Sequence, residues 1–271
     1  MQKGKIIFPF FAVFNPDILP PRGGAMTRNI RMTLEYDGSN YHGWQRQKNG
    51  LSIQQVLEEK IAVMTGEAVR VIGSGRTDAG VHALGQVAHF RTASSIREFN
   101  LLGGLNSLLP RDIVIRDLRE VDASFHARYD AKSKVYLYQV HNRPVRPALF
   151  RQYAWFVPGA LDFGMMQEAA HLFEGTHDFS SFCSTHTDSP DRIRTITGVR
   201  IGADAGSLVR IEIEADGFLR YMVRGIVGVL VDAGRGKRTL PELRQIMEAK
   251  DRRCGGATAP AHGLFLKEVR Y

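Results

Sequence analysis

The stretch Gly73-Ser-Gly-Arg-Thr-Asp-Ala-Gly-Val-His82 places one acid, Asp78, in a short glycine-rich loop between two apolar runs. Both runs, 69–72 and 85–90, are predicted strands because they are rich in β-branched residues and are bounded by glycines. The glycines let the loop turn tightly and come close to a ligand. Arg76 stands two residues before the acid and is able to hold a phosphate or to pair with a carboxylate. A lone acid on such a loop suits a carboxylate nucleophile.

The same loop has other interpretations. Thr77 and Asp78 are residue types that cap backbone amides in an ordinary turn. The loop lacks the Gly-Lys-Ser/Thr ending of a phosphate-binding loop, and its third glycine has the wrong spacing for a dinucleotide fingerprint. Asp78 and His82 are four residues apart and could share a helix face as metal ligands. No third ligand stands nearby, so a structural role is favoured and no metal is predicted.

The charge of the chain favours a polyanionic partner. The 271 residues carry a formal net charge of +8. Basic residues cluster at 128–151 and again at 220–238, which is either a solvated surface or a nucleic-acid footprint. Tyrosines able to stack on bases interleave with them: Tyr129, Tyr136, Tyr138 and Tyr221. Since no long apolar span is present, nucleic acid is favoured over a membrane.

The cysteines and the N-terminal segment indicate in which cellular compartment the protein works. Cys183 and Cys254 have neither a metal-ligand spacing nor a disulfide framework, so a reduced, cytoplasmic protein is predicted. Residues 1–27 hold an apolar run that Pro9 interrupts, with no small-residue cleavage site after it. We expect this N-terminal extension to be disordered or to lie upstream of the true translation start.

Five blocks of the sequence together resemble one family. The stretch from Gly75 to His82 resembles the catalytic motif of the tRNA pseudouridine synthase A family. Four further blocks resemble its opening strand and loop, its middle motif, its third motif and its final strand, and they stand in family order between residues 28 and 271: 34–47, 124–138, 217–228 and 258–266. Chance similarity in five ordered blocks is very improbable.

The apolar pattern predicts a mixed α+β fold. Predicted strands are 30–36, 69–73, 85–91, 113–121, 134–141, 195–202, 207–216 and 264–270, and predicted helices are 53–64, 97–108, 161–173, 219–233 and 240–249. The resemblance implies two similar α/β subdomains, joined by a continuous, mostly antiparallel sheet with a central RNA-binding cleft. We expect an N-terminal catalytic subdomain at 28–120 that carries Asp78. A C-terminal subdomain at 121–271 then carries Tyr136 and Arg224, and 110–131 is the candidate hinge.

The resemblance also implies an activity. Family members isomerise uridine to pseudouridine at positions 38, 39 and 40 in the anticodon arm of tRNA, without a cofactor, and act as homodimers. Asp78 then either adds covalently to the substrate or removes the C2′ proton, in a path through a glycal. Tyr136 would pack against the flipped uracil, with core packing as the alternative. Arg224 would pair with Asp78, and Arg76 would displace the base or contact a phosphate.

Three other functions stay open at this point. A family member without catalysis would only bind tRNA. A metal-dependent nuclease would use Asp78 with His82 and would need a divalent ion. A relative of the same family would act on a different uridine. Chelator and modification mapping distinguish these possibilities.

Overall fold

A ten-stranded sheet runs through the computed structural model of this protein, which describes residues 27–185, 189–204 and 208–271. Its order is β4-β1-β3-β10-β5-β9-β8-β7, with β2 beside β3 and β6 beside β5. The strands are β1 Arg28–Tyr36, β2 Ile72–Gly73, β3 His82–Thr92, β4 Ile113–Val121, β5 Ser133–Asn142, β6 Trp155–Val157, β7 Gly175–Asp178, β8 Ile193–Ala203, β9 Leu208–Ala215 and β10 Leu264–Arg270. Pairing is antiparallel except between β3 and β10 and between β5 and β6.

Five α-helices pack beside this sheet in the described residues. They are α1 Ile53–Thr65, α2 Glu98–Leu108, α3 Phe163–His171, α4 Met222–Gly234 and α5 Leu240–Ala249. Helix α1 begins where the Ser52 side chain accepts the Gln55 N–H, and it ends at Gly66 in the left-handed conformation. The most deeply buried helix is α4, whose residues are nearly all buried. No helix among the described residues has both the length and the apolar character to cross a membrane.

The two halves of the sheet meet at one parallel pair of strands. Phe265 of β10 lies opposite His82 of β3, and Leu266 lies opposite Ala83. On its other side β10 pairs antiparallel with β5. Strand β10 therefore joins the β4-β1-β3 half, which begins the chain, to the half that contains β5. His82 follows the Asp78 loop directly, so this junction also fixes one end of that loop.

The α+β fold with one continuous, mostly antiparallel sheet is confirmed. Several boundaries differ from the predictions. The strand predicted at 69–73 is only Ile72–Gly73, because the backbone of Val71 bonds to the side chains of Gln54 and Glu58 on α1 instead of to a strand. Helix α4 begins at Met222 rather than 219, because Tyr221 has a left-handed φ of 68°.

Other differences concern connections. Strands β6 and β7 were not predicted. Of the candidate hinge 110–131, residues 113–121 form β4 and pair along β1, so the connection between β4 and β5 is 122–132. The predicted extension at 1–27 lies outside the described residues apart from residue 27, and so does residue 207 of the strand predicted at 207–216.

Helix α4 packs so closely on the chain that glycine is required at two of its positions. A Cβ at Gly225 would lie 2.5 Å from the Phe182 carbonyl oxygen, and one at Gly228 would lie 2.1 Å from the Ala257 carbonyl oxygen. These are backbone atoms, so relief requires the helix or its neighbour to move. The close packing sets the position of Arg224, which the first turn of this helix carries.

We predict that Gly228→Ala destabilises the protein by about 1–3 kcal/mol, as overpacking of a filled core does. Thermal unfolding followed by circular dichroism measures this effect. Gly103→Ala is the matched control, because Gly103 lies in α2 and a Cβ there would meet nothing within 4 Å. It should gain up to about 1 kcal/mol from helix propensity. Equal melting temperatures for the two variants would contradict the tight contact.

Candidate active site

The Asp78 loop is held against the loop that follows β1. The Trp44 N–H donates to the Thr77 carbonyl oxygen at 3.1 Å, and the hydroxyls of Tyr36 and Thr77 lie 2.8 Å apart. Gly43 has a φ of 86°, and a Cβ there would lie 2.5 Å from the Thr77 carbonyl oxygen. Only glycine allows the two loops to approach in this way.

The other side of the loop is fixed by β3. The Ser74 hydroxyl donates to Gln86 Oε1 at 2.6 Å, and Gln86 Nε2 donates to the Gly75 carbonyl oxygen at 2.9 Å. The Ser74 N–H also bonds to the Val87 carbonyl oxygen at 2.7 Å. In the ordinary-turn interpretation, the polar side chains of the loop cap its own backbone. Here Ser74 and Thr77 instead bind side chains of other elements, so the loop is a rigid support for Asp78.

Asp78 forms an ion pair with a residue from the far half of the chain. Arg224 Nη1 lies 3.2 Å from Asp78 Oδ2, and Arg224 Nε donates to the Ala259 carbonyl oxygen at 2.7 Å. The side chains are 22% exposed at Asp78 and 16% exposed at Arg224. The guanidinium also lies 5.0 Å from the centre of the Tyr221 ring. The expected Asp78–Arg224 pair is therefore present, and both side chains are mostly buried but still partly accessible to solvent.

Two opposing effects act on the Asp78 carboxyl. Burial raises its pKa, while the charge and hydrogen bond of Arg224 lower it. Burial is the larger effect, so the pKa of Asp78 lies above its usual range. The arginine limits that rise and fixes the direction of the carboxylate. A carboxylate of raised basicity is a better proton acceptor and a better nucleophile than an exposed one.

Tyr136 lies beside this pair on β5. Its side chain is buried, with 7% of the residue exposed, and its ring meets Phe218 edge to face with 4.9 Å between centroids. Burial raises the pKa of the Tyr136 hydroxyl, and the nearby groups Tyr36 and Asp78 add to the rise. The phenol therefore stays neutral at physiological pH.

Tyr138 lies on the same face of β5 but does not reach solvent. It is fully buried, and its hydroxyl donates to the Pro260 carbonyl oxygen at 2.8 Å. The turn at 260–263 covers it so closely that a Cβ at Gly263 would lie 2.7 Å from its ring. The prediction that Tyr138 is able to stack on a base was therefore wrong.

Arg76 and His82 have separate environments. Arg76 is exposed, and its Nε donates to Gln45 Oε1 at 3.1 Å. His82 is buried, where its Nδ1 lies 3.1 Å from Asp37 Oδ1, and its Nε2 lies 3.2 Å from two backbone carbonyl oxygens. The ring of His82 thus binds structural partners and not a site shared with Asp78. No group of three or more His, Cys, Asp or Glu residues suited to a metal occurs within the described ranges.

Asp78 opens into a large cleft between the two halves of the chain. The cleft has a volume of about 1130 Å³ and is lined by residues of both halves. Asp78 is the one acid among its described lining residues, whereas the basic ones are Arg70, Arg76, Arg128, Lys134, Arg194, Arg220 and Arg224. Such a cleft attracts a polyanion and brings it to the carboxylate.

The sequence did not single out several lining residues, of which Lys134 and Phe218 lie beside the site. Lys134 precedes Tyr136 by two positions on β5, so the strand alternation places both on one face. Burial is the main reason why its pKa is lowered. Phe218 lies within the third motif, but nothing local in that motif indicates that its ring meets Tyr136.

Removing the arginine should change how activity depends on pH. A catalytic Asp78 must be ionised, so the rate rises as pH increases through its pKa. Arg224→Gln removes the charge that lowers this pKa, so the acidic limb of the rate profile should move to higher pH. Rates measured from pH 5 to 9 test this, with Arg244→Gln as the control, because Arg244 is exposed on α5. An acidic limb at the wild-type position would show that Arg224 does not tune Asp78.

A continuous sheet with a lone carboxylate in a basic cleft between its halves suits an enzyme that acts on a polyanionic substrate, and comparison with known proteins identifies the family. The family described as tRNA pseudouridine synthase matches residues 32–130 and 169–271. A relative from Acetivibrio thermocellus, named tRNA pseudouridine synthase A, is 49% identical over 244 residues, which is 90% of this chain and all of the relative. Relatives of that name from Brevibacillus brevis and Pelobacter propionicus are 47% and 46% identical over the same shares.

This chain belongs to the tRNA pseudouridine synthase family. Among solved structures, a chain of the archaeal box H/ACA sRNP Nop10–Cbf5 complex is similar at a TM-score of 0.33 and 11% identity. The similarity covers 86% of this chain and 58% of that one. It is too distant to bear on the site.

Proposed function

We propose that this protein isomerises uridine to pseudouridine in tRNA, at positions 38, 39 and 40 of the anticodon arm, with Asp78 as the catalytic residue. The observation that carries the proposal is the Asp78–Arg224 ion pair, in a basic cleft and beside Tyr136. Membership of the family supports the reaction. The three positions rest on resemblance alone.

The reaction keeps every atom of the nucleoside except one hydrogen exchanged with water. The N1–C1′ bond breaks, the uracil rotates, and C5 bonds to C1′, after which C5 loses its proton and N1 gains one. Asp78 would start this sequence, either by covalent addition or by removing the C2′ proton. No step requires an oxidant, a reductant or a metal, so no cofactor is proposed. Both routes need an ionised carboxylate at the same place.

The positions of the residues around Asp78 suggest a role for each of them in catalysis or substrate binding. The target base must leave its stack to reach Asp78, and Tyr136 with Phe218 offers an aromatic surface for the extruded uracil. Arg224 orients the carboxylate. Arg76 is exposed at the cleft, where it would contact a phosphate or fill the space that the base leaves.

The proposal includes the domain organisation, the oligomeric state and the cellular compartment of the protein. We propose that 28–120 and 121–271 act as two subdomains, that two copies of the chain form a homodimer on tRNA, and that the protein works in the cytoplasm. Light scattering of the protein with and without tRNA tests the dimer. A monomer in both conditions would overturn it.

The release of tritium from uracil C5 tests the reaction. An unmodified tRNA transcript labelled at C5 is incubated with the protein in excess chelator, and the modified sites are mapped afterwards. Release that maps to the anticodon arm supports the proposal and excludes a metal-dependent nuclease. If tRNA binds tightly without release, the chain is a binding module or acts on another RNA.

Binding of tRNA should weaken steeply with salt. Contacts to about four phosphates would lower the affinity roughly 100-fold between 50 and 200 mM salt, because counterions are released on binding. Arg220→Gln, in the cleft, should reduce the slope by about one unit. Arg119→Gln, on β4 and outside the cleft lining, should leave it unchanged. A flat salt response by the wild type would contradict a charge-led footprint.

A further inference from the structure

A pair of stacked rings, the half-buried His126 and the exposed Tyr129, contributes to the lining of the cleft. The rings of His126 and Tyr129 are parallel within 24° and their centroids are 4.2 Å apart. Tyr129 is 76% exposed, so most of its side chain is accessible to a ligand. Exposed aromatic rings also occur elsewhere on this protein, but Tyr129 combines exposure with a stacked partner and a place in the lining of the cleft, where a base of bound RNA is able to reach it.

Hydrogen bonds hold the His126 ring, which supports the Tyr129 ring, in one orientation. The His126 ring nitrogen Nδ1 accepts hydrogen bonds from the backbone N–H groups of Arg128 and Tyr129, each at 3.2 Å. The backbone N–H of His126 donates to Asp130 Oδ2 at 2.8 Å. The inner side of the His126 ring meets His89 edge to face at 4.9 Å. Tyr129 stacks on this fixed His126 ring, which limits the conformational freedom that its own ring would lose on binding a planar ligand.

Two basic residues lie near the Tyr129 ring and near the Asp78 loop. The Arg128 guanidinium lies 6.0 Å from the centre of the Tyr129 ring. Lys134 comes next, since its charge interacts with that of Arg128, and its Cε would lie 3.5 Å from a Cβ at Gly75 on the catalytic loop. Arg128 at the stacked rings and Lys134 at the Asp78 loop are therefore placed to bind phosphates of one RNA strand.

We infer that Tyr129, supported by His126, is a stacking platform for the base of a nucleotide that flanks the target uridine on the same RNA strand. This inference rests on the proposed function. Arg128 and Lys134 would bind the phosphates that connect this nucleotide to the target. An aromatic face accepts any base, so the platform fits an enzyme that modifies several positions in different sequence contexts.

The platform would contribute to the binding of tRNA and to the position of its strand in the cleft, and not to the chemical step. When a target base is extruded, it loses its stack on the neighbouring base. That neighbour regains a stack on Tyr129, which would hold the strand open while Asp78 acts. Loss of the ring should therefore raise KM for tRNA about 10-fold and change kcat little, because one base stack is lost.

The test combines steady-state kinetics with fluorescence. Tyr129→Ala should raise KM about 10-fold, and Tyr129→Phe, which keeps the ring, should retain the wild-type value. Phe99→Ala is the matched control, because Phe99 is 86% exposed on α2 and outside the cleft lining. A Tyr129→Ala variant with wild-type KM and kcat would overturn the platform.

A second readout does not require turnover. Anticodon stem-loops carry the fluorescent base 2-aminopurine at one nucleotide flanking the target, and saturating protein is added. Stacking should quench the fluorescence for the wild type and for Tyr129→Phe, but not for Tyr129→Ala. Equal quenching by all three would overturn the platform, and so would no quenching at any flanking position. If the wild type quenches but releases no tritium, the platform stands and the proposed isomerisation fails.

Discussion

Asp78→Asn is expected to abolish pseudouridine formation while leaving tRNA binding within about twofold of the wild type. An amide neither adds to a sugar or base nor accepts a proton at neutral pH, so turnover should fall at least about 1000-fold. The Asn side chain has nearly the same shape, and its oxygen still accepts the Arg224 hydrogen bond. Single-turnover tritium release and filter binding measure the two effects separately.

The same variant also tests the electrostatic description of the site. The pKa of Asp78 is raised in the folded protein, mainly by burial, so its protonated form favours folding and its ionised form opposes it. That contribution is present below the unfolded pKa and is lost as pH rises through the folded pKa. Asp78→Asn stays neutral at every pH, so above the folded pKa of Asp78 its melting temperature should equal or exceed that of the wild type.

Asp117→Asn controls for the loss of one acid, because Asp117 is 55% exposed on β4 and outside the cleft lining. It should behave as the wild type in turnover, binding and melting temperature. Turnover by Asp78→Asn close to that of the wild type would remove Asp78 from the mechanism. A large loss of binding would mean that the carboxylate contributes chiefly to recognition.

Tyr136→Ala should lower kcat about 100-fold and change the Kd for tRNA only a few-fold. The ring contacts the substrate only after the base has been extruded, whereas most binding comes from phosphates along the cleft. Tyr136→Phe keeps the ring and its contact with Phe218, so it separates the hydroxyl from the aromatic surface. Single-turnover rates and Kd values from the same preparations provide the comparison.

Loss of a buried ring also destabilises the fold, by about 3–5 kcal/mol, so a stability control is needed. Phe173→Ala serves this purpose, because Phe173 is fully buried against Phe182 and outside the cleft lining. It should lower the melting temperature similarly but leave kcat near the wild-type value at a temperature where it is folded. Equal kcat for Tyr136→Ala and the wild type would make Tyr136 a packing residue.

Local patterns predicted much of the fold. Strand β9 alternates buried and less buried residues, and α1 repeats apolar residues at helical spacing, so both could be assigned from neighbouring positions. Strands β6 and β7 have three and four residues, too few for a period to be visible. The strand predicted at 69–73 was shortened by partners on α1, and no local pattern reports such partners.

Less of the candidate site could be predicted from neighbouring sequence positions. The loop pattern indicates that Asp78 is unusual, but its partner Arg224 lies 146 positions away. That pairing was expected only through the family resemblance, and the catalytic roles of Asp78, Arg76, Tyr136 and Arg224 stay predictions. Tyr136 and Tyr138 are equivalent by strand alternation. What distinguishes them is the turn at 260–263, which covers only Tyr138.

The position of β10 has a consequence for how the protein folds during its synthesis. Strand β3 is synthesised early, yet the neighbour that links it to β5 is β10, which emerges only after α5. Until then the sheet that brings the Asp78 loop and Arg224 together is incomplete. We therefore expect a nascent chain that lacks β10 to be inactive toward tRNA.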